Sequence, residues 1–394
     1  MKLRFDDSVE EFRREFLDWL AVNRPTDEEM AADPAVSSAY VPDWAARFTR
    51  RMFDDGWLVP GWPPERGGRN AGPIETLVYL EELNKAEIPR TTNPQGLGII
   101  APSLLDFGTP EQIENYAMPL LRGETAACLG MSEPDAGSDL ANLKTRAVLD
   151  GDDFVINGQK VWTSGANYAD FCFLFCRTDP DVPKHKGISI ILMPMDTPGV
   201  TVRPLTEIVS PEFPDLNEVF LDDVVLPASN LVGEMNNGWA MANGSLAHER
   251  SMVWLMGVMG MESSMHELLE LAPARLAALS APERAVAADE IAGLYVDTIA
   301  ARCLGYRGFA RFVKTGSAPE QALMKAYSTE IRQDLTQVAA ELFGPDSLRS
   351  GTGRHGSVGS LEAYLTTFGS TISAGSSEIQ RNIIAERVLG LPRA

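Results

Sequence analysis

Between residues 122 and 230 the chain stops reading in helical period, and this break constrains the fold more than any other feature. Val148-Leu149 and Phe154-Val155-Ile156 flank Asp150-Gly151-Asp152-Asp153, a pattern that predicts a hairpin. Asn157-Gly158 is a second turn signal directly after it. Phe171-Cys172-Phe173-Leu174-Phe175-Cys176 and Ile188-Ser189-Ile190-Ile191-Leu192 read as buried strands. Pro194, Pro198, Pro204, Pro211 and Pro214 punctuate the remainder of the region. Short strands joined by close turns predict a sandwich or barrel rather than βαβ units.

The flanks are helical. Ser8 with Glu11 predicts a capping box, and Val9, Phe12, Phe16, Trp19 and Leu20 follow at helical spacing. A second helix carries Trp44, Phe48 and Met52, with Gly56 as its C-cap. Residues 57–64 are a rigid, irregular linker, and another helix spans about 74–84. Thr109, Pro110 and Gln112 give a further helix start. Beyond residue 231 four helices are expected, at about 236–270, 283–315, 319–343 and 375–389. Pro273 and Pro282 bound the first gap, and Gly344-Pro345 ends the third helix. Residues 349–360 read as a flexible loop. It is not a phosphate-binding P-loop, because no strand precedes it and no Gly-Lys-Ser/Thr comes after it. The fold class is therefore α+β: an N-terminal helical domain (1–121), a central β-sandwich or barrel domain (122–232) and a C-terminal helical bundle (233–394).

Charge narrows the function. With 34 Lys and Arg against 55 Asp and Glu, the net charge is −21, which argues against nucleic-acid binding. A polyanionic ligand would have to meet a local cluster of cations or backbone dipoles. Cys128, Cys172, Cys176 and Cys303 form no C-x-x-C pair and no His cluster accompanies them, so a metal site is not expected. Cys172 and Cys176 read as small core residues, and this usage suits a reducing, cytoplasmic setting. Met1–Asp7 lacks the apolar segment of a signal peptide, and no window approaches the roughly 20 apolar residues of a membrane span.

One stretch is chemically unusual: Cys128-Leu129-Gly130-Met131-Ser132-Glu133-Pro134-Asp135-Ala136-Gly137-Ser138-Asp139. Pro134 and Gly137 forbid a regular helix or central strand, which leaves backbone N–H groups able to turn to a ligand. Taken alone, such a stretch is more often a surface turn. Two further motifs stand at the right places: Lys160-Val161-Trp162-Thr163-Ser164 after the hairpin, and Ala374-Gly375-Ser376-Ser377-Glu378-Ile379-Gln380-Arg381-Asn382 near the C-terminus. With these three motifs in this order on an α/β/α architecture, the chain resembles the acyl-CoA dehydrogenases, flavoproteins of the fatty-acid β-oxidation type, over nearly its whole length.

The resemblance implies FAD and an acyl-CoA substrate. By position, Leu129 and Met131 would present backbone groups to the isoalloxazine and Ser132 would hydrogen-bond its pyrimidine side. Trp162 would cover the ring, and Ser164 would contact its N5 edge. Ser376 and Glu378 match cofactor positions, and Ser138 matches a contact to the CoA arm. Where the family often has Thr, Ser132 and Ser164 keep the hydroxyl. Without this context Trp162 would read as a core aromatic. Donors at the N1–C2 edge stabilise charge that develops on reduction, and a carboxylate must face the substrate's α-carbon. Glu133 and Asp139 read as scaffold carboxylates.

The usual base position holds Ala374, whose side chain has no acid–base chemistry. Isovaleryl- and long-chain-type members take the base from the first helix of the C-terminal domain. There this chain reads Leu246-Ala247-His248-Glu249-Arg250, which places the base on Glu249. Taken alone, Glu249 would read as a solvated helix residue. The Ala374 N–H would polarise the thioester carbonyl. Arg250 would meet a CoA phosphate, with pairing to Glu249 or Glu234 as the alternative. His248 reads as a structural neighbour.

Two departures concern the half of the FAD site that a neighbouring subunit supplies in the family. The expected Arg-x-x-Phe-Gly is replaced by residues 272–279, which contain no Phe-Gly, and the expected Gln-x-x-Gly-Gly by Glu341-Leu342-Phe343-Gly344-Pro345. The partners implied are an electron-transferring flavoprotein and further subunits, in a homodimer, a homotetramer or a heteromer. A flavin oxidase or monooxygenase, or a poorly catalytic subunit of a heteromer, are the alternatives.

Overall fold

The computed structural model describes residues 5–316, 318, 320–349 and 357–392, except for the side chains of 242–256 and of Gln321. The chain divides into two units, Met1–Glu249 and Arg250–Ala394.

The first unit opens with helices α1 (Asp7–Asn23), α2 (Asp27–Ala32), α3 (Asp43–Asp54), α4 (Pro73–Lys85), α5 (Ala101–Phe107), α6 (Pro110–Gln112) and α7 (Met118–Leu121). Phe12, Phe16, Trp57 and Tyr79 meet in an aromatic core, with Phe16 set 4.9 Å from Trp57 and 4.7 Å from Tyr79 between ring centroids. The box expected at Ser8 and Glu11 is not formed. The helix begins at Asp7, and the side chain of Asp6 at the N-cap position does not cap it. Asp7 and Glu10 instead place negative charge in the first turn, where the helix dipole favours it. At Thr109 the expected box is present and Pro110 occupies the first turn. Gly56 has the left-handed φ of +74° that terminates α3.

The strands are β1 (Ala127–Gly130), β2 (Arg146–Asp150), β3 (Asp153–Lys160), β4 (Phe171–Arg177), β5 (Ile188–Pro194), β6 (Val200–Pro204), β7 (Asn217–Pro227) and β8 (Leu231–Val232). They join in the order β6-β7-β3-β2-β4-β5-β8, with β1 added parallel to β4. Strands β2 and β4 pair only at Arg146 and Arg177, so the sheet has two halves hinged at one point. Their inward residues share one core: Ala147, Phe154, Ile156, Val224 and Leu226 from one half, Cys128, Cys172, Leu174, Cys176 and Ile191 from the other. That is the sandwich expected from the strand pattern. Asn157-Gly158 is not a second turn. The strand runs through it with a register shift between Ile156 and Gly158, a β-bulge in the pairing with β7.

Helix α8 (Gly238–Ala277) starts in the first unit and continues in the second, which adds α9 (Ala281–Thr315), α10 (Glu320–Phe343), α11 (Leu361–Ile372) and α12 (Ser377–Ile383). Pro273 does not end α8. It stands four residues before the last helical one, so the missing N–H disturbs a single turn. Arg275 fastens that turn, through Asp346 at 2.6 Å and by lying 4.3 Å over the Phe343 ring. Helix α11 was not expected from the sequence. Its N-cap is Ser360, whose hydroxyl accepts from Ala363 N–H. Among the described residues, no helix is long and apolar enough to cross a membrane.

Candidate active site

In the first unit two segments come together. One leaves β1 and holds Met131, Ser132 and Glu133. The other leaves β3 and holds Val161, Trp162, Thr163 and Ser164. Val161 N–H donates to Ser132 O at 3.0 Å. Lys160, with no exposed surface, donates from Nζ to Met131 O at 3.2 Å and to Glu133 Oε1 at 2.8 Å. Glu133 also accepts Lys144 N–H at 2.6 Å and Thr145 N–H at 2.9 Å. Burial pushes the Glu133 carboxyl up, but the Lys160 charge and these hydrogen bonds outweigh it and hold the carboxyl below its ordinary value. Glu133 is thus the scaffold carboxylate the sequence suggested. Lys160 is a scaffold residue that sequence reasoning missed, since a lysine at the end of a strand carries no sign of its burial.

Trp162 stands on left-handed backbone, with φ of +59°, yet its indole is 60% exposed. A large aromatic held in a strained conformation and left uncovered is not a core residue, and such strain gathers at ligand sites. Ser164 is half-buried two residues on, and the Thr163 hydroxyl is buried without a partner.

The β1 edge adds backbone groups. Ala127 N–H donates to Asn93 Oδ1 at 3.0 Å, and Asn93 Nδ2 donates to Ala127 O at 2.9 Å, on the edge away from β4. Backbone groups alternate between the two edges of a strand, so Leu129 turns its N–H and C=O to that same edge. Ser138 is exposed in the loop beyond, next to Asp139, which pairs with Lys184 at 2.7 Å.

The entry of α8 is fastened by a closed circuit. Asn236 N–H donates to Ser189 Oγ at 2.8 Å, Ser189 Oγ lies 2.6 Å from Thr178 Oγ1, and Thr178 Oγ1 donates to Asn236 Oδ1 at 2.6 Å. Directed this way round, Ser189 donates to Thr178 and each group has its partner. Ser189 inside an apolar strand was the sequence signal for it. Glu249 and Arg250 lie on α8, and their side chains, like that of His248, fall outside the described residues.

In the second unit Ala374 and Ser376 lie in the turn between α11 and α12, and Glu378 in the first turn of α12. Ala374 has φ of +53° and is exposed. Gly375 follows at φ +90°, a conformation that L side chains rarely adopt and glycine takes freely. Gln380 Nε2 donates to Ala374 O at 3.3 Å. Ser376 caps α12, its hydroxyl accepting Ile379 N–H at 3.4 Å, a role not foreseen from the sequence. Its own backbone N–H and the Ser376 hydroxyl hold the Glu378 carboxyl below its ordinary value.

Family models agree with this architecture. Those of the acyl-CoA dehydrogenase N-terminal, middle and C-terminal domains match residues 7–124, 128–224 and 236–389. The chain is 36% identical to acyl-CoA dehydrogenase IpdE1 of Mycobacterium tuberculosis, with 98% of each protein covered. Among solved structures it is similar to the ChsE4-ChsE5 complex of Mycobacterium tuberculosis, at 30% identity, a TM-score of 0.81 and full coverage of both chains. It is also similar to the Tcur3481-Tcur3483 steroid ACAD, at 29% identity and a TM-score of 0.80, again with both chains fully covered. The chain belongs to the acyl-CoA dehydrogenase family, a family of oxidoreductases.

Proposed function

We propose that this chain is an FAD-dependent acyl-CoA dehydrogenase that converts an acyl-CoA thioester to the trans-2-enoyl-CoA and passes electrons to an electron-transferring flavoprotein. The single observation that carries the reading is Trp162, an exposed indole on left-handed backbone fastened beside Ser132. The donor set fits a flavin: backbone groups of Leu129 and Met131, the hydroxyls of Ser132 and Ser164, and the orphaned Thr163 hydroxyl. Ser376 and Glu378 complete the proposed cofactor residues. FAD, when bound, supplies the acceptor for the β hydrogen. The rest is the work of the chain. Glu249 takes the α proton, the Ala374 N–H donates to the thioester oxygen and holds the enolate charge, and Trp162 walls the site from water. Ser138 and Arg250 hold the CoA arm. The division at 1–121, 122–232 and 233–394 is proposed with this reading.

Anaerobic addition of CoA esters tests it. A substrate bleaches the flavin band, and Glu249→Gln slows bleaching by about 10²–10⁴-fold, the usual worth of a general base. Bleaching at the normal rate in that variant removes Glu249 from the role. The screen includes bulky polycyclic esters, because one similar structure is described as a steroid ACAD.

A heteromeric assembly is the second reading. Residues 272–279 lack the Phe-Gly pair, and one similar structure is a complex of two named chains. The chain purified alone without FAD, and loaded with FAD once co-expressed with a partner, is the result expected on that reading.

A further inference from the structure

We infer that Asp215 and Asn217 are positioning residues: with Ser37, Ser38 and Asn93 they form a buried relay that sets the Trp162 segment against the β1 edge. The inference rests on the reading of Trp162 and Leu129 as parts of one flavin site.

The segment from Val161 to Asn167 leaves β3 and joins no strand, so something else must fix it. Thr163 N–H donates to Asn217 O at 3.0 Å, and Gly165 N–H donates to Asp215 O at 2.7 Å. Fully buried Asn217 returns its own amide, Nδ2 donating to Thr163 O at 3.1 Å, to Asn167 Oδ1 at 3.1 Å and to Asp215 O at 2.9 Å. These bonds hold Thr163, next to Trp162, by both its N–H and its C=O.

The Asp215 side chain faces the other way, into the helical region. Its Oδ1 accepts from Ser37 Oγ at 2.6 Å, Ser38 N–H at 2.7 Å and Ser38 Oγ at 3.0 Å. Both Asp215 N–H and Leu216 N–H end on Glu207 Oε1, at 2.5 and 2.8 Å. The same serine loop presses on the Trp162 segment directly. A Cβ on Gly165 would lie 2.5 Å from Ala39 Cβ, and the Tyr40 and Tyr168 rings meet edge-on at 5.3 Å.

The loop also reaches β1. Ser38 O accepts Asn93 Nδ2 at 2.7 Å, and the same Asn93 amide brackets Ala127. The order is thus β1 edge, Asn93, Ser38, Asp215, Asn217, Thr163, Trp162. Buried hydrogen-bonded chains of this kind specify one geometry, because any slip strands a polar group away from water. The serine loop of the helical region therefore gauges how far the indole stands from Leu129.

The test is a Ser37→Ala/Ser38→Ala double variant of the full chain, which keeps the Ser38 N–H, compared with a Ser37→Ala/Ser38→Thr variant that restores one hydroxyl. Amide hydrogen exchange without added ligand is read at Thr163 and Gly165, and at Ile190 and Leu192 as a core reference. FAD affinity is read by flavin fluorescence. Loss of the two hydroxyl bonds to Asp215 predicts about tenfold faster exchange at Thr163 and Gly165 and about tenfold weaker FAD binding, with the core amides unmoved and Ser38→Thr recovering part of both. Unchanged exchange at Thr163 and Gly165 overturns the inference, and so does equal acceleration at the core, which marks a general loss of stability. Faster exchange with unchanged FAD affinity also overturns it. If the unaltered chain takes up no FAD, alone or with a partner, the flavin reading falls instead, and the exchange still decides whether the relay holds the segment.

Discussion

Trp162 and Ala374 make an instructive pair. Each is a non-glycine residue in left-handed conformation, at φ +59° and +53°, and each belongs to a motif read as functional. Left-handed backbone costs an L-residue about 1–2 kcal/mol, so each turn must be held. The means differ. The Trp162 turn is flanked by the buried Lys160–Glu133 pair and bracketed by Asn217. The Ala374 turn is exposed, and its carbonyl takes one amide, from Gln380 at 3.3 Å. On the proposed reading Trp162 walls an aromatic ring and needs a fixed place, which a buried charge pair supplies. On the same reading the Ala374 turn offers an N–H to a thioester and needs only its local direction, which Gly375 and the Ser376 cap supply.

The largest expected effect breaks the firmer side. Lys160→Met removes one member of a pair in which Lys160 has no exposed surface and leaves the buried Glu133 charge with backbone N–H partners but no countercharge. The loss is about 3–5 kcal/mol in urea unfolding. Adding Glu133→Leu should cost less than the sum of the two single changes, because no lone charge remains. A Lys160→Met loss under about 1 kcal/mol would mean the Trp162 turn is held no more firmly than the other.

The same pair predicts an acid limb. The folded Glu133 carboxyl lies below its ordinary value of 4.5, so it binds its proton less readily folded than unfolded. Its stabilisation is complete above the unfolded value and is lost as pH falls through the lowered folded one. Stability measured from pH 6 down to 3 should therefore fall, and Glu133→Gln should flatten that fall. The same slope in both proteins would remove Glu133 as the group responsible.

The exposed side should move the other way. Ala374→Gly relieves the strain at φ +53° but adds chain freedom to the unfolded state. The net expectation is a gain of about 0.5–1 kcal/mol. The backbone N–H survives, so turnover of an acyl-CoA should change less than about threefold, well short of a lost catalytic hydrogen bond. A tenfold loss would show that the methyl group, and not only the N–H, matters.

The two turns were not equally legible in the sequence. Trp162 was recognisable because its motif follows a hairpin and stands in order between two others. What holds it was not, since Lys160 meets Glu133 across 27 positions and Asp215 meets Ser37 across 178. Pairings of that range depend on the tertiary fold and leave no period to read. The sandwich was legible from the close turns between short strands and from the apolar runs of β4 and β5. Asn157-Gly158 misled because Asn-Gly marks bulges as well as turns, and only the partner strand β7 decides between them. Pro273 misled for a related reason: the Arg275 contacts with Asp346 and Phe343 carry the last turn of α8 past a residue that should end it. Helix α11 begins after residues 349–360, whose glycines pointed to a loop, and Leu361, Tyr364, Leu365 and Phe368 were the period that marked it.

The smallest expected effect sharpens the comparison from the weaker side. Gln380→Leu keeps the side-chain size and removes the amide that, among the described residues, meets Ala374 O. That bond is long, and the exposed Ala374 leaves its carbonyl within reach of water, so no buried acceptor is stranded. The expected loss is about 0.5 kcal/mol, at the low end for a hydrogen bond. If the amide also aims the Ala374 N–H, the KM for an acyl-CoA should rise while unfolding barely moves, because the turn can then point in more than one direction. A loss of more than about 2 kcal/mol, the size expected when a buried polar group loses its partner, would place this turn in the same class as the Trp162 turn. The contrast between a fixed wall and a lightly held donor would then have to be given up.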